Sequence, residues 1–140
     1  MGYLRRMESE PRVFPPRPIR GVRARYARQA GCPSDFADVT VDFEPWEEGF
    51  AFEAADSADV TEGSCREQLP GFHAALAAGM REELADQGDG FAVAVAVVLR
   101  SVRVHDVDSH DRSFHMAGRL AVREALAQAY GPPPLPKHRA

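Results

Sequence analysis

Apolar and polar residues alternate along two stretches in the first third of the chain. Ile19, Val22 and Tyr26 are separated by arginines, and from Phe36 to Phe43 nearly every second residue is apolar. Because successive side chains of a β-strand point to opposite faces of a sheet, this alternation predicts two strands with one wet face. The arginine-rich stretch is typical of an edge or solvent-facing strand. A short third strand is predicted at Phe50–Glu53, after a turn.

Helical spacing appears in two later stretches. Apolar residues recur at three- and four-residue steps from Leu69 to Leu84, and Pro70 lies where a first turn tolerates proline. This pattern predicts an amphipathic helix that begins near Glu67. A second helix is expected to begin near Asp111 or Arg112, because Asp108, Ser109 and Asp111 are good N-cap types. It carries small residues that predict close packing of helix and sheet: Ala117, Gly118, Ala121 and Ala125.

The segments around the first helix differ in polarity. The acidic segment from Ala54 to Gly63 has few large apolar residues and predicts a loop. The uncharged run from Phe91 to Leu99 predicts a strand at the centre of the sheet. Residues Arg100–Val104 alternate in polarity, so we expect them to project into solvent.

These elements follow one another in the order β-β-β-α-β-α. That order predicts an α+β two-layer sandwich, in which a mixed β-sheet carries two helices on one face. The 140 residues suit one domain. We expect a disordered arm at residues 1–16, a folded domain at residues 17–130 and a proline-rich tail at residues 131–140.

The net charge of −4 conceals a strong segregation of charge. Residues 1–28 contain eight arginines and two glutamates, whereas residues 29–99 contain two arginines and fifteen acidic residues. Blocks of like charge are often solvated faces, but a basic edge beside an acidic body also suits an RNA backbone. The overall acidity argues against broad, non-specific binding of nucleic acid.

Cysteine usage and hydropathy give the expected compartment. Cys32 and Cys65 do not form a Cys-x-x-Cys pair, and free thiols fit a reducing cytoplasm. The sequence contains no apolar run long enough for a membrane span and no apolar signal-peptide core near its start. We therefore expect a cytoplasmic protein.

One polar corner is a candidate for chemistry. Between His105 and His115 the chain contains three histidines and three aspartates, which are residue types that bind metal ions. All of them lie within eleven residues. Because a single corner rarely converges four ligands on one ion, helix capping and solvated turns are the competing interpretation, and no metal or other cofactor is predicted. Neither Cys32 nor Ser109 lies in a nucleophile elbow, and there is no Walker-type phosphate loop, so no enzymatic activity and no bound nucleotide are predicted.

Several motifs together resemble domain IV of bacterial elongation factor G. The segment from Tyr26 to Gly31 reads Tyr-Ala-Arg-Gln-Ala-Gly, and Val39–Pro45 reads Val-Thr-Val-Asp-Phe-Glu-Pro at the family's spacing. Leu76–Met80 is similar to the family's helix segment with an interior glycine. His105–Ser109 and Phe114–Gly118 are similar to its His-Glu-Val-Asp-Ser stretch and following helix. The resemblance extends from about Ile19 to Ala129.

The resemblance implies a fold shared with a ribosomal protein, including a left-handed β-α-β crossover. In the full factor this domain reaches the decoding centre of the ribosome with two loops at its tip. Carried over, those loops correspond to eight residues here: Gln29, Ala30, Gly31, Cys32, His105, Asp106, Asp108 and Ser109. Arginines are expected to flank them near phosphate groups: Arg25, Arg28, Arg100 and Arg103.

The resemblance therefore predicts a free-standing, non-enzymatic protein that binds the ribosome or structured RNA. No GTPase domain is present in these 140 residues, so GTP-driven translocation by this chain alone is not expected. The alternative is a protein–protein interaction module, for example a homo-oligomer, that kept the fold and lost the RNA role. A dimer that buries Val39, Val41 or Phe43 through a sheet face would favour that alternative.

Overall fold

The computed structural model describes residues 12–28, 35–61, 67–88, 91–104 and 109–131. Five strands and two helices follow in chain order: β1 Arg12–Phe14, β2 Ile19–Arg28, β3 Asp35–Pro45, β4 Gly49–Thr61, α1 Leu69–Ala85, β5 Phe91–Arg103 and α2 Asp111–Tyr130. Apart from β1, this is the predicted order of elements.

The sheet is mixed, and β5 is its central strand. The strand order is β1-β5-β3-β2, and β4 also pairs with β5. Strands β1 and β4 run parallel to β5, whereas β3 runs antiparallel to both β5 and β2. Because β4 and β5 are parallel neighbours joined through α1, they form a β-α-β unit. The left hand of that connection stays a prediction from the resemblance.

One face of the sheet forms the core with both helices. Val39, Val41 and Phe43 of β3 are 0–1% exposed and belong to one cluster with buried residues of both helices. Phe72 of α1 stacks on Phe114 of α2 with ring centroids 4.5 Å apart. The predicted two-layer α+β architecture is therefore confirmed. A dimer that buries Val39, Val41 or Phe43 was the alternative considered from the sequence. The sheet face that contains these residues is covered by the protein's own helices.

The opposite face of the sheet is wet, as the alternation predicts. Its acidic residues on β3 pair with arginines of the neighbouring strands in three ion pairs: Arg20–Glu44, Arg23–Asp38 and Arg100–Asp42. Asp38 and Asp42 are only 4% exposed, because the arginine side chains cover them. These pairs lie across adjacent strands, where opposite charges stabilise a sheet.

The two helices approach each other closely through glycines. A Cβ atom added to Gly79 would overlap the backbone carbonyl of His115, and one added to Gly118 would overlap that of Leu76. Gly118 thus lies against α1, although the sequence predicted that it would lie against the sheet. No helix in the described part of the chain is both long and apolar enough to cross a membrane.

Strand β4 is longer than predicted. It continues to Thr61 through a segment that the sequence suggested was a loop, and its last three residues, Asp59–Thr61, pair with residues 101–103 of β5. The same pairing keeps the second half of β5 inside the sheet. Val102, and Val104 just after the strand, are buried and do not project into solvent. Backbone pairing with a long neighbour outweighs the weak strand propensity of this acidic stretch.

Strand β1 lies within the predicted disordered arm. Residues 12–14 pair with residues 91–93 of β5. Phe14 is fully buried, and its ring lies 5.7 Å from that of Phe43 in an edge-to-face arrangement. This strand was not predicted from the sequence, because it contains only three residues and prolines follow it directly. The other expectations for the arm and the tail concern residues 1–11 and 132–140, which lie outside the described residues.

Candidate nucleic-acid interface at the tip of the sheet

Three connections leave the sheet at the same end, which we call the tip. Arg28 and Asp35 are paired across β2 and β3, so residues 29–34 start and finish there. Arg103 at the end of β5 pairs with both Asp38 of β3 and Thr61 of β4. Residues 62–66 and 105–108 therefore also begin at the tip, and α1 and α2 begin next to it. The opposite end, where both helices end, is called the base.

The structure places the flanks of the two predicted contact loops side by side. Seven of the eight predicted contact residues lie outside the described residues: Gln29, Ala30, Gly31, Cys32, His105, Asp106 and Asp108. Ser109 is described and is 8% exposed. Its hydroxyl donates a hydrogen bond of 2.7 Å to the carbonyl oxygen of Phe36, just after the other loop. One loop end is therefore attached directly to the other.

A buried carboxylate strengthens this attachment. Asp35 is 3% exposed, and its Oδ1 accepts hydrogen bonds from Arg112 Nε at 2.7 Å and from Ser113 Oγ at 3.0 Å. Burial alone would raise the pKa of Asp35, but the bonds from Arg112 and Ser113 outweigh it, so the pKa lies below its ordinary value. Asp35, Ser109, Arg112 and Ser113 together form what we call the loop clamp.

Helix α2 begins where the sequence predicted but with a different cap. The N-cap residue is His110, with φ −138° and ψ 164°, and its backbone N–H donates to Ser113 Oγ at 3.2 Å. Ser109 holds Phe36 and is not the N-cap residue, so its predicted capping role was wrong. Asp111 lies in the first turn, where a carboxylate is favoured by the helix dipole.

The predicted flanking arginines divide into two groups. Arg100 donates from Nε to Asp42 Oδ2 at 2.7 Å, so its charge is matched within the fold. Arg25, Arg28 and Arg103 are exposed and have no ion-pair partner among the described residues. Arg25 instead lies over the ring of Phe36, 5.7 Å from its centroid. The second group can receive an external anion without first breaking an ion pair.

Arg25 and Arg103 flank one position of the strand β3. Both are register partners of Asp38, on β2 and β5 respectively. Since neighbouring strands lie about 4.8 Å apart, the two arginine Cα atoms are separated by roughly 10 Å. Asp38 itself accepts two hydrogen bonds from Arg23, at 3.0 and 2.6 Å. The charge of Asp38 is therefore already compensated by Arg23. The register position shared by Arg25, Asp38 and Arg103 consequently presents net positive charge.

A cavity of about 420 Å³ lies between the N-terminal ends of the helices, lined by Glu67, Gln68, Gly71, Phe72, Ser109, His110 and Asp111. Its two carboxylates make it a poor site for an anion. Among the described residues there is no group of three or more potential metal ligands. His115, which the sequence analysis grouped with His105, has its Nε2 atom 3.1 Å from Oε2 of Glu82 on α1.

Sequence reasoning missed most of the clamp. Asp35 is separated from Arg112 and Ser113 by 77 and 78 residues, and no local spacing connects them. The sequence predicted Phe36 only as a strand residue. In the structure its carbonyl oxygen accepts the hydrogen bond from Ser109, and its ring lies against the guanidinium of Arg25. The one available signal was the position of Asp35 at the boundary between a loop and a strand.

The comparisons with known proteins agree with the resemblance. The family described as elongation factor G, domain IV, matches residues 11–130. An elongation factor G of Dehalococcoides mccartyi is 36% identical over 110 residues, which cover 76% of this chain and 15% of that protein. An elongation factor G-like protein of Synechocystis is 34% identical over 109 residues, again covering 76% of this chain and 15% of its own length.

A solved structure from Thermus thermophilus superposes with a TM-score of 0.62 and 27% identity, and the match covers 81% of this chain and 16% of that chain. The chain thus spans about 15% of the length of the curated relatives that it matches. The matched segment contains every described element of the sheet and both helices. The chain belongs to the elongation factor G domain IV family.

Proposed function

We propose that this chain binds the ribosome or structured RNA through its tip, in the cytoplasm and without catalysing a reaction. The proposed contacts are two loops, residues 29–34 and 105–108, whose flanks are joined by the loop clamp, together with the arginines beside them. The observation that carries the proposal is the position of Arg25, Arg28 and Arg103. All three lie exposed, and unpaired within the described residues, at the end of the sheet from which both loops leave.

Exposed guanidinium groups suit this task physically. Arginine binds phosphate oxygens with two parallel N–H donors, and its charge persists at every physiological pH. Phosphate contacts position a protein on RNA without reading its sequence. Arg25 also stacks on Phe36, so its side chain loses less conformational freedom when it binds a phosphate.

The loop clamp contributes by fixing where the loops begin. Ser109 is bonded to Phe36, and Asp35 is bonded to the first turn of α2. The flanks of residues 29–34 and 105–108 are therefore held together by one buried and two part-buried hydrogen bonds. Preorganised loop ends reduce the entropy that binding must otherwise remove. This supports binding through loops whose ends are held in place before the partner arrives.

Co-sedimentation with purified ribosomal subunits tests the proposal. We expect the full chain to pellet with subunits at low salt and to be released as KCl rises, because phosphate contacts displace counterions. His105→Ala at the tip should lower the bound fraction several-fold. His138→Ala, which removes the same side chain beyond α2, should not. Absence from the subunit pellet at every salt concentration would contradict the proposal.

A further inference from the structure

A second concave surface lies at the base, far from the tip. It is a groove of about 300 Å³ between the last turn of α1 and the first residues of β4 and β5, lined by Gly49, Phe50, Arg81, Leu84, Ala85, Gly88, Phe91 and Val93. Most of these side chains are apolar. Phe50, Phe91 and Val93 are only partly buried, so the groove leaves apolar surface open.

The aromatic character of the groove favours a particular kind of occupant. Phe50 and Phe91 form part of the wall, and the guanidinium of Arg81 lies 4.8 Å from the centroid of the Phe50 ring. Proline-rich segments in the polyproline II conformation bind grooves lined by aromatic rings. Such segments lose little conformational freedom on binding, because their extended shape already exists in the free chain.

The sequence supplies such a segment at the right place. Helix α2 ends at Tyr130, whose ring lies 5.3 Å from that of Phe91 in the groove wall. Gly131 follows, and then Pro132–Pro136, which reads Pro-Pro-Pro-Leu-Pro. With a rise of about 3.1 Å per residue, the four steps from Gly131 to Leu135 span roughly 12 Å. A segment attached at Gly131 is therefore long enough to reach across the groove.

Charge complementarity supports the same occupant. Glu47 and Glu48 are exposed immediately before Gly49 at the edge of the groove, and neither has an ion-pair partner among the described residues. Lys137 and Arg139 follow the proline run by one and three residues. A segment that places Leu135 in the groove would bring these cations within reach of the two carboxylates.

We propose that residues 132–139 of the same chain bind this groove. Leu135 fills the apolar space beside Phe50 and Phe91, and the basic residues meet Glu47 and Glu48. Binding in this way covers the apolar groove at the base. The inference does not depend on RNA binding, since it concerns the opposite end of the molecule.

Nuclear Overhauser contacts in the full chain test the proposal directly. We expect cross-peaks between the Leu135 methyl protons and the ring protons of Phe50 and Phe91. Leu135→Ser should shift the amide resonances of Phe50 and Phe91, whereas Leu4→Ser, a matched change near the start of the sequence, should leave those resonances unchanged. The double variant Lys137→Glu/Arg139→Glu should also weaken the cross-peaks.

Two results would overturn the proposal. The first is the absence of cross-peaks from Leu135 to both rings in a sample whose core resonances are well dispersed. The second is an isotope-filtered sample of mixed labelled and unlabelled chains in which the cross-peaks arise between molecules, which makes a second copy the occupant. Because the first measurement uses the unaltered chain, an unfolded variant cannot obscure the outcome.

Discussion

Asp35 shows how one residue organises the tip. It is the first residue of β3 and bonds to both Arg112 and Ser113 of the first turn of α2. Hydrogen bonds to a buried charged group stabilise a protein by about 1.5–3 kcal/mol each. Arg112 is half exposed, so its bond lies at or below the low end of that range. The bond to Ser113 is fully buried and carries more of the stabilisation.

Replacing Asp35 by Asn should lower the free energy of unfolding by about 2 kcal/mol at pH 7, because Arg112 and Ser113 both lose their hydrogen bond to a charged carboxylate. The pKa of Asp35 is lower in the folded protein than in the unfolded chain. Its stabilisation is therefore present above the unfolded pKa, near 3.9, and is lost as pH falls through the folded pKa. Urea unfolding of both proteins between pH 7 and pH 3 measures this. A gap between them that does not narrow with falling pH would contradict the prediction.

The helix pair shows why two of the family-like motifs contain glycine. Gly79 lies in the Leu76–Met80 motif and Gly118 in the Phe114–Gly118 motif, and each lies against the backbone of the other helix. No side chain other than hydrogen fits these positions, so the helices can approach closely enough for Phe72 to stack on Phe114. In the sequence Gly79 was notable only by resemblance, and Gly118 also as one of the small residues expected to pack against the sheet; the packing of the two helices gives the physical reason for both glycines.

Gly118→Ala should destabilise the protein by about 2 kcal/mol. Alanine favours the helix by about 1 kcal/mol over glycine, but its Cβ would overlap the Leu76 carbonyl, and forcing atoms into a packed core costs typically 1–3 kcal/mol or more. Gly71→Ala is the matched control, because a Cβ there would lie 3.6 Å from Asp111 Oδ1 in ordinary contact. Thermal unfolding compares them. Equal melting temperatures for Gly118→Ala and the parent chain would show that the helices can separate without loss.

At the scale of the whole molecule, the sequence predicted the layers well and the ends of the strands poorly. The apolar periodicity of β3 and α1 arises from the buried face of each element itself. The bounds of both elements were therefore predicted to within a few residues. Strand β1 and the last part of β4 exist because β5 is long enough to pair with them. The clamp likewise depends on residues 73 or more positions apart, which only the folded chain brings together.

The arrangement of charge over the molecule predicts that the proposed RNA binding responds to salt through the arginines of the tip. Among the described residues, the tip holds arginines without ion-pair partners, whereas Arg100 and Arg23 on the sheet face are paired with buried aspartates. Each phosphate contact contributes about −0.7 to −0.9 to the slope of log affinity against log salt. Arg25→Gln and Arg103→Gln should therefore each make that slope less steep by about one contact.

Arg17→Gln provides the control, because Arg17 donates to the carbonyl oxygen of Gln128 near the end of α2, at the base. It removes the same charge but should leave the salt slope unchanged. Titrating labelled ribosomal RNA with each variant over a series of KCl concentrations measures the slopes. If Arg17→Gln reduces the slope as much as Arg103→Gln does, RNA responds to net charge and not to the tip, and the proposed orientation of the molecule on RNA is wrong.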